Sequence, residues 1–213
     1  MQSYKRYFSE KKFVLSFLSG LLLLGVSLVT QFFISGYVTR SSSFSVTDII
    51  LSNTRVYDVG GIFVWGTVFL FLFVFFVCIK NINYAPFIMK SIALFTLIRS
   101  VFVSLTHISP FPTHVIITSA FFNREVFYGI FSGNDLFFSG HTGVPFLLAL
   151  IFWEQKSLRI TFLCFSVLFG LVVLLGHLHY SIDVLSAFFI TYSIFHICQI
   201  FFKKDQKLFH EKL

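Results

Sequence analysis

Long uninterrupted runs of apolar residues alternate with short polar segments along almost the whole chain. Six runs are candidates for helices, at about residues 13–36, 60–79, 85–108, 141–153, 158–177 and 180–202. Most of them approach the roughly 20 residues that an α-helix needs to cross a bilayer, although the fourth run is short. The pattern therefore predicts an all-α, polytopic membrane protein with six transmembrane helices, in which residues 1–213 form one integral membrane domain.

The composition supports a membrane protein and argues against a soluble domain. Of the 213 residues, 56% are hydrophobic, 12% are charged and 33 are phenylalanines. The three cysteines fall inside predicted helices and no Cys/His spacing suggests zinc, so we expect neither a disulfide framework nor a metal site. No Gly-rich phosphate loop is present, and no cofactor is expected. The first apolar run is longer than the core of a signal peptide and lacks a cleavage pattern, so we expect it to remain as an anchor.

The basic residues occur in alternate loops and in both terminal segments, which is an orientation signal. The residues concerned are Lys5, Arg6, Lys11, Lys12, Lys80, Lys90, Lys156, Arg159, Lys203, Lys204, Lys207 and Lys212. By the positive-inside rule both termini are cytoplasmic, and loops 38–59, 109–140 and 177–180 face the outer side. The net charge of +7 is therefore interpreted as an orientation signal and not as a nucleic-acid-binding surface. Residues 44–53 could form a short interfacial helix.

A charged residue or a histidine beside a membrane helix is costly to place there, so it is a functional candidate by default. In residues 176–184, GHLHYSIDV, His179 and Asp183 are four positions apart and share one face of a helix. The carboxylate can hold one imidazole nitrogen and leave the other free as a nucleophile or base. The alternative is an ordinary polar pair at a helix start, where an acid also suits the helix dipole.

The stretch 134–142, NDLFFSGHT, has two interpretations. Ser139 could simply cap a helix, with Gly140 in the turn. In the functional interpretation, the helix N-terminus and the Ser139 hydroxyl bind phosphate oxygens while His141 donates a proton. Two histidine-bearing helix starts on one membrane face, with Asp183 behind one of them, favour the functional interpretation.

These residues resemble the motifs of the sphingomyelin synthase family, a branch of the lipid phosphate phosphatase (PAP2-like) superfamily. One motif of the family is an Asp followed, after three residues, by Ser-Gly-His-Thr, and it matches Asp135 to Thr142. A second motif, His-Tyr-Ser/Thr-x-Asp-Val, matches His179 to Val184. An upstream motif is recognisable at Arg99, Thr106, Pro110 and Pro112, with one extra residue before the prolines. The resemblance covers about residues 99–199. It implies a PAP2-like bundle of six membrane helices with an active site on the outer face, which is periplasmic, lumenal or extracellular.

The resemblance also implies a metal-independent transfer of a phosphocholine-type head group from a membrane phospholipid to ceramide or a related lipid alcohol, through a phosphohistidine. His179 is then the nucleophile, Asp183 orients it, and His141 is first the acid and then the base. The substrate-binding candidates are Arg99, Asp135, Ser139, Gly140, Thr142 and Tyr180. Arg99 is either a bidentate phosphate ligand or a structural partner for Asp135 or another polar group.

Differences from the family leave the head group and the acceptor open. Gly133-Asn134 and Cys198-Gln199 stand where the family has Cys-Gly and Tyr-His. A lipid phosphate phosphatase, in which water resolves the phosphohistidine, is the alternative, although the Lys-rich and Arg motifs usual in such phosphatases are not found. A non-enzymatic lipid-binding or scramblase-like protein would require the histidine motifs to be incidental. We interpret His107, His114 and His177 as interfacial histidines.

Overall fold

The computed structural model describes residues 2–41, 43–117 and 136–210. These residues contain no strand, and they form eight α-helices and two 3-10 turns, Leu51–Asn53 and Ile82–Tyr84. The helices are α1 (Gln2–Ser9), α2 (Lys11–Ser41), α3 (Gly60–Lys80), α4 (Ala85–Leu105), α5 (Gly140–Ile151), α6 (Lys156–Leu175), α7 (Ser181–Phe201) and α8 (Lys203–His210). The predicted all-α class is confirmed.

The six predicted apolar helices correspond to α2 to α7. Within the described residues, five of them (α2, α3, α4, α6 and α7) are long and apolar enough to cross a membrane. The sixth, α5, has 12 residues. It extends for about 18 Å, less than the roughly 30 Å of a hydrocarbon core. The suggestion of a helix at residues 44–53 is wrong, because only the turn Leu51–Asn53 is helical there.

Aromatic side chains dominate the packing between the helices. The main core cluster contains the fully or almost fully buried residues Phe87, Phe95, Phe138, Phe152, Phe162 and Phe169. Large apolar side chains on the outer faces of the helices, such as Leu22, Phe76 and Phe189, are exposed. An apolar surface of this extent on several helices is typical of contact with lipid chains.

The two ends of the bundle are formed by different helices, turns and loops. The terminal end carries α1, α8 and the turn Ile82–Tyr84. There the buried Asp205 accepts hydrogen bonds from Lys90 Nζ at 2.7 Å and from Ser16 Oγ. Asn83 Nδ2 donates to the Phe209 carbonyl at 2.9 Å. The opposite end, called the site end below, carries loops 43–59 and 106–115 and the starts of α5 and α7.

Gly143 allows α5 to pack closely between α4 and α7. A Cβ at this position would lie 2.7 Å from the Phe95 ring and 2.9 Å from Thr191 Oγ1. A residue without a side chain lets the helix backbones approach this closely. Gly143 therefore helps to set the position of α5, whose first turn carries His141.

We expect Gly143→Ala to destabilise the protein by about 1–3 kcal/mol, because the added methyl group overpacks a filled interface. Gly25→Ala is the matched control, since apart from the neighbouring backbone of α2 no atom lies within 4 Å of the position where its Cβ would be. The measurement is the melting temperature of both variants in detergent. A Gly143→Ala protein as stable as the Gly25→Ala protein would mean that α5 can shift at no cost.

Candidate active site

The first turn of α7 holds His179 and Asp183 together. Asp183 is 1% exposed, and its Oδ2 accepts a hydrogen bond from the Tyr180 backbone N–H at 2.9 Å. The Asp183 N–H donates in turn to the Tyr180 carbonyl at 3.0 Å, which closes the helix start. The same Oδ2 lies 3.4 Å from His179 Nδ1. That distance is at the long end for a hydrogen bond. Because Nδ1 faces the carboxylate, Nε2 lies on the opposite side of the imidazole ring.

The start of α5 contacts the start of α7 directly. The Ser139 N–H donates to the Asp183 carbonyl at 3.1 Å. The Ser139 hydroxyl caps α5 by accepting hydrogen bonds from the Thr142 N–H at 3.4 Å and from Thr142 Oγ1 at 3.1 Å. Ser139 and Thr142 are fully buried, and neither borders the cavity described next. Both make structural contacts, and the capping interpretation of Ser139 matches this geometry.

A cavity of about 210 Å³ brings the two histidines of the motifs together. It lies between α2, α3, α4 and α5, and it is bordered by His141 and His179 as well as by Arg99 and Gly140. Most of the remaining lining is apolar. Leu28 on α2 and Phe71 on α3 also border it and are 55% and 51% exposed on the outside of the bundle. The cavity therefore opens on the flank of the bundle, toward the lipid-facing surface.

Aromatic rings hold the His141 imidazole in place. The ring centroid of Phe63 on α3 lies 4.1 Å from that of His141, and the Phe169 centroid on α6 lies 6.0 Å away. Phe63 borders the same cavity. Its position among many other phenylalanines in an apolar run gave no signal of this contact in the sequence.

The contacts of Arg99 fit both a structural role and a role as a phosphate ligand. It is 8% exposed, and its Nε donates to the Phe138 carbonyl at 2.7 Å. A Cβ on Gly140 would lie 3.3 Å from the same Nε, so the guanidinium packs against the first residue of α5. A cation beside a helix N-terminus creates a positive region that favours an anion in the cavity. Asp135, the other partner considered for Arg99, lies outside the described residues.

Tyr180 does not border the cavity. Its hydroxyl donates to the Ser109 carbonyl at 2.8 Å and accepts from the Val46 N–H at 3.2 Å. The side chain thus connects the two loops of the site end, 43–59 and 106–115. Its inclusion among the substrate-binding residues receives no support from this position.

The other histidines of the site end make local contacts. His177 has a φ of 52°, and its Nδ1 lies 2.7 Å from Thr113 Oγ1. His114 Nδ1 lies 2.8 Å from the Phe111 carbonyl, and the His107 ring packs edge-on against Tyr37. None of the three borders the cavity. In the part of the chain that the structure describes, no group of three or more His, Cys, Asp or Glu side chains is arranged to hold a metal ion.

Asp48 is a buried acid of the site end that the motifs did not indicate. Its Oδ2 accepts from both the N–H and the hydroxyl of Ser181 at 2.7 Å, and its Oδ1 accepts from the Ile50 and Leu51 N–H groups at 2.9 and 3.1 Å. Burial raises the pKa of Asp48, but the hydrogen bonds outweigh it, and the pKa lies below its ordinary value. The sequence near Asp48 indicated only a turn, because an Asp before Ile-Ile-Leu can accept hydrogen bonds from the backbone that follows it. The contact with Ser181 gave no local signal, since the two residues are 133 positions apart.

The comparisons with known proteins agree with this geometry at the level of a superfamily. Residues 132–200 match the family model described as PAP2 superfamily C-terminal. This segment contains α5, α6 and almost all of α7, and so both histidine motifs. No curated protein and no solved structure matches the chain. The family match supports a PAP2-like membrane protein and a lipid enzyme of the phosphatase or phosphotransferase type.

Proposed function

We propose that the protein is a lipid phosphotransferase of the sphingomyelin synthase type, which moves a phosphocholine-type head group from a glycerophospholipid to ceramide or a related lipid alcohol. The observation that carries the proposal is the cavity, because His141 and His179 border it together and it opens on the flank of the bundle. A membrane lipid could place its phosphate between the two imidazoles while its chains stay in the hydrocarbon. The active site would then lie on the outer face, with both termini cytoplasmic.

In the first step, His179 Nε2 attacks the phosphorus of the phospholipid. Asp183 holds the proton on Nδ1, so that the lone pair of Nε2 faces the substrate. The phosphorus–nitrogen bond forms as the bond to the diacylglycerol oxygen breaks. His141 gives its proton to that oxygen, and Arg99 offsets the negative charge of the phosphate.

In the second step, the hydroxyl of the acceptor lipid attacks the phosphohistidine. His141, now neutral, takes the hydroxyl proton as the new phosphorus–oxygen bond forms. The phosphorus–nitrogen bond breaks and returns the electron pair to His179 Nε2. Both histidines end in the protonation states in which they began, so the cycle closes without another reactant.

The lining of the cavity favours transfer over hydrolysis. Phe63, Leu70, Phe95 and Val144 are apolar, and they leave few groups to hold an attacking water. An alcohol that arrives with its own alkyl chains can partition into such a space. The alternative function is a lipid phosphate phosphatase, in which water takes the place of the lipid alcohol, and the family match is compatible with it.

We expect His179→Ala to lower turnover at least about 10³-fold, because no covalent intermediate can form. We expect Asp183→Asn to lower turnover on the order of 10²- to 10⁴-fold, since the amide keeps the shape and loses the charge behind the imidazole. The measurement is the rate of head-group loss from a fluorescent phospholipid by purified protein, alongside the melting temperature.

His196→Ala is the matched control for the first variant. His196 is an exposed histidine on α7, and its contact at 3.1 Å is with Gln199. It should retain wild-type turnover. Full activity of Asp183→Asn would mean that the His179–Asp183 pair is an ordinary structural contact.

The fate of the head group separates the two candidate functions. Purified protein receives ceramide or diacylglycerol with phosphatidylcholine or phosphatidylethanolamine, and in a parallel reaction phosphatidic acid, all with a chelator of divalent ions. We expect the head group to move onto the lipid alcohol faster than it is released. We expect the chelator to have no effect, because every step uses only side chains of the protein. Thin-layer chromatography of the lipid products measures both rates.

Two results would contradict the proposal. Release of phosphocholine or phosphate without a new lipid product would favour the phosphatase. A reaction that stops with chelator and recovers with a divalent ion would contradict the two-histidine mechanism in either function.

A further inference from the structure

We propose that Asp48 is a positioning residue for the catalytic pair, because it holds Ser181, one of the three residues between His179 and Asp183, in place. The inference rests on the proposed function, in which His179 is the nucleophile. Asp48 does not border the cavity, so any effect on the reaction must pass through the start of α7.

The hydrogen bonds of Asp48 connect a distant loop to the first residue of α7. One carboxylate oxygen accepts both donors of Ser181, and the other accepts the Ile50 and Leu51 N–H groups. Asp48 is 7% exposed, so these bonds are shielded from water. The carboxylate therefore fixes Ser181 relative to the turn Leu51–Asn53. Each of its two oxygens accepts two hydrogen bonds.

Asp48 also supplies an acceptor for the first N–H of α7, which the local contacts of Asp183 do not provide. The residue at the N-cap position, Tyr180, makes no side-chain cap hydrogen bond to α7. The N–H of Ser181 is one of the four that a helix start leaves without an intrahelical partner. Here the acceptor comes from Asp48, and its negative charge also suits the helix dipole.

The neighbouring residue strengthens the same connection. The Tyr180 hydroxyl accepts from the Val46 N–H and donates to the Ser109 carbonyl. Loop 43–59 thus holds two consecutive residues, Tyr180 and Ser181, by separate hydrogen bonds. Together with Ile182, they are the residues between His179 and Asp183. A displacement of Tyr180 or Ser181 therefore changes the distance between His179 Nδ1 and Asp183 Oδ2.

The decisive variant is Asp48→Asn. An amide has one acceptor oxygen, so either Ser181 or the Ile50 and Leu51 pair must lose its partner in any orientation. We expect kcat to fall about 10- to 100-fold, the range that a misplacement of about 1 Å causes, with KM changed less than about threefold. Ser181→Ala removes only the hydroxyl bond, and we expect a smaller fall in kcat of the same kind. The assay follows consumption of the phospholipid donor, which reports cleavage whether the acceptor is a lipid alcohol or water.

Asp58→Asn is the matched control. Asp58 is an exposed acid at the same end of the bundle, and its Oδ1 accepts from the Gly60 N–H at 3.1 Å at the start of α3. Its carboxylate caps a helix that carries neither His179 nor Asp183. We expect Asp58→Asn to keep the wild-type kcat.

A double variant tests whether Asp48 acts through the catalytic pair. In an Asp183→Asn background, Asp48→Asn should lower kcat by less than about twofold more, because the pair that it positions is already broken. Losses that multiply would overturn the proposal, since Asp48 would then act elsewhere. A fall in melting temperature with unchanged kcat would also overturn it. If Asp48→Asn does not fold, a wild-type kcat in Ser181→Ala would overturn it.

A chemical readout separates this proposal from the proposed function. Diethyl pyrocarbonate modifies histidines, and mass spectrometry gives the rate at each one. We expect Asp48→Asn to shift the rate at His179 toward that of Asp183→Asn, with the rate at His196 unchanged. A wild-type rate at His179 in Asp48→Asn would overturn the positioning role, even in a protein that cleaves no lipid tested. Failure of the proposed function would instead appear as full lipid turnover by His179→Ala, or as no lipid turnover by the wild type.

Discussion

Asp183 places the two catalytic candidates relative to each other through two different atoms. Its Oδ2 closes the first turn of α7 and faces His179, while its backbone carbonyl accepts from the Ser139 N–H at the start of α5. A buried carboxylate is costly unless hydrogen bonds compensate for the lost water, so this residue can occupy the site only with its partners in place. The arrangement of the two helix starts therefore depends on the hydrogen bonds of one residue.

The bundle separates the polar and apolar requirements of a lipid reaction. Arg99 and the two imidazoles border the cavity together. Leu28 on α2 and Phe63, Leu70 and Phe71 on α3 supply apolar parts of the wall. Because membrane helices carry their own backbone hydrogen bonds, these walls can face lipid without exposing unpaired polar groups.

The helices and the chemical groups of the site were predictable from the sequence, since both have local signatures. Apolar runs mark α2 to α7. The spacing of His179 and Asp183 predicted that both share one face of a helix, but α7 begins at Ser181, so His179 lies just before the helix and Asp183 lies in its first turn. The short amphipathic helices α1 and α8 were not predicted, because eight residues are too few to separate a helix from a solvated tail. The roles of Asp48 and Tyr180 could not be predicted, because they depend on contacts between segments that are far apart in the sequence. Sequence could assign Tyr180 to a motif, but only the fold shows that its hydroxyl contacts Val46 and Ser109 and not the cavity.

The short length of α5 has a consequence for the terminal end. A helix that begins at the site end and extends for about 18 Å stops well before the other side of a hydrocarbon layer. The space beneath it is filled by rings: Phe152, the residue after α5, lies 5.3 Å from Phe209 of α8, which stacks on Tyr84 at 4.4 Å. A short helix surrounded by lipid would impose a hydrophobic mismatch, whereas here the end of α5 packs against α8. Side chains of the protein itself therefore continue the packed interior beyond the last residue of α5.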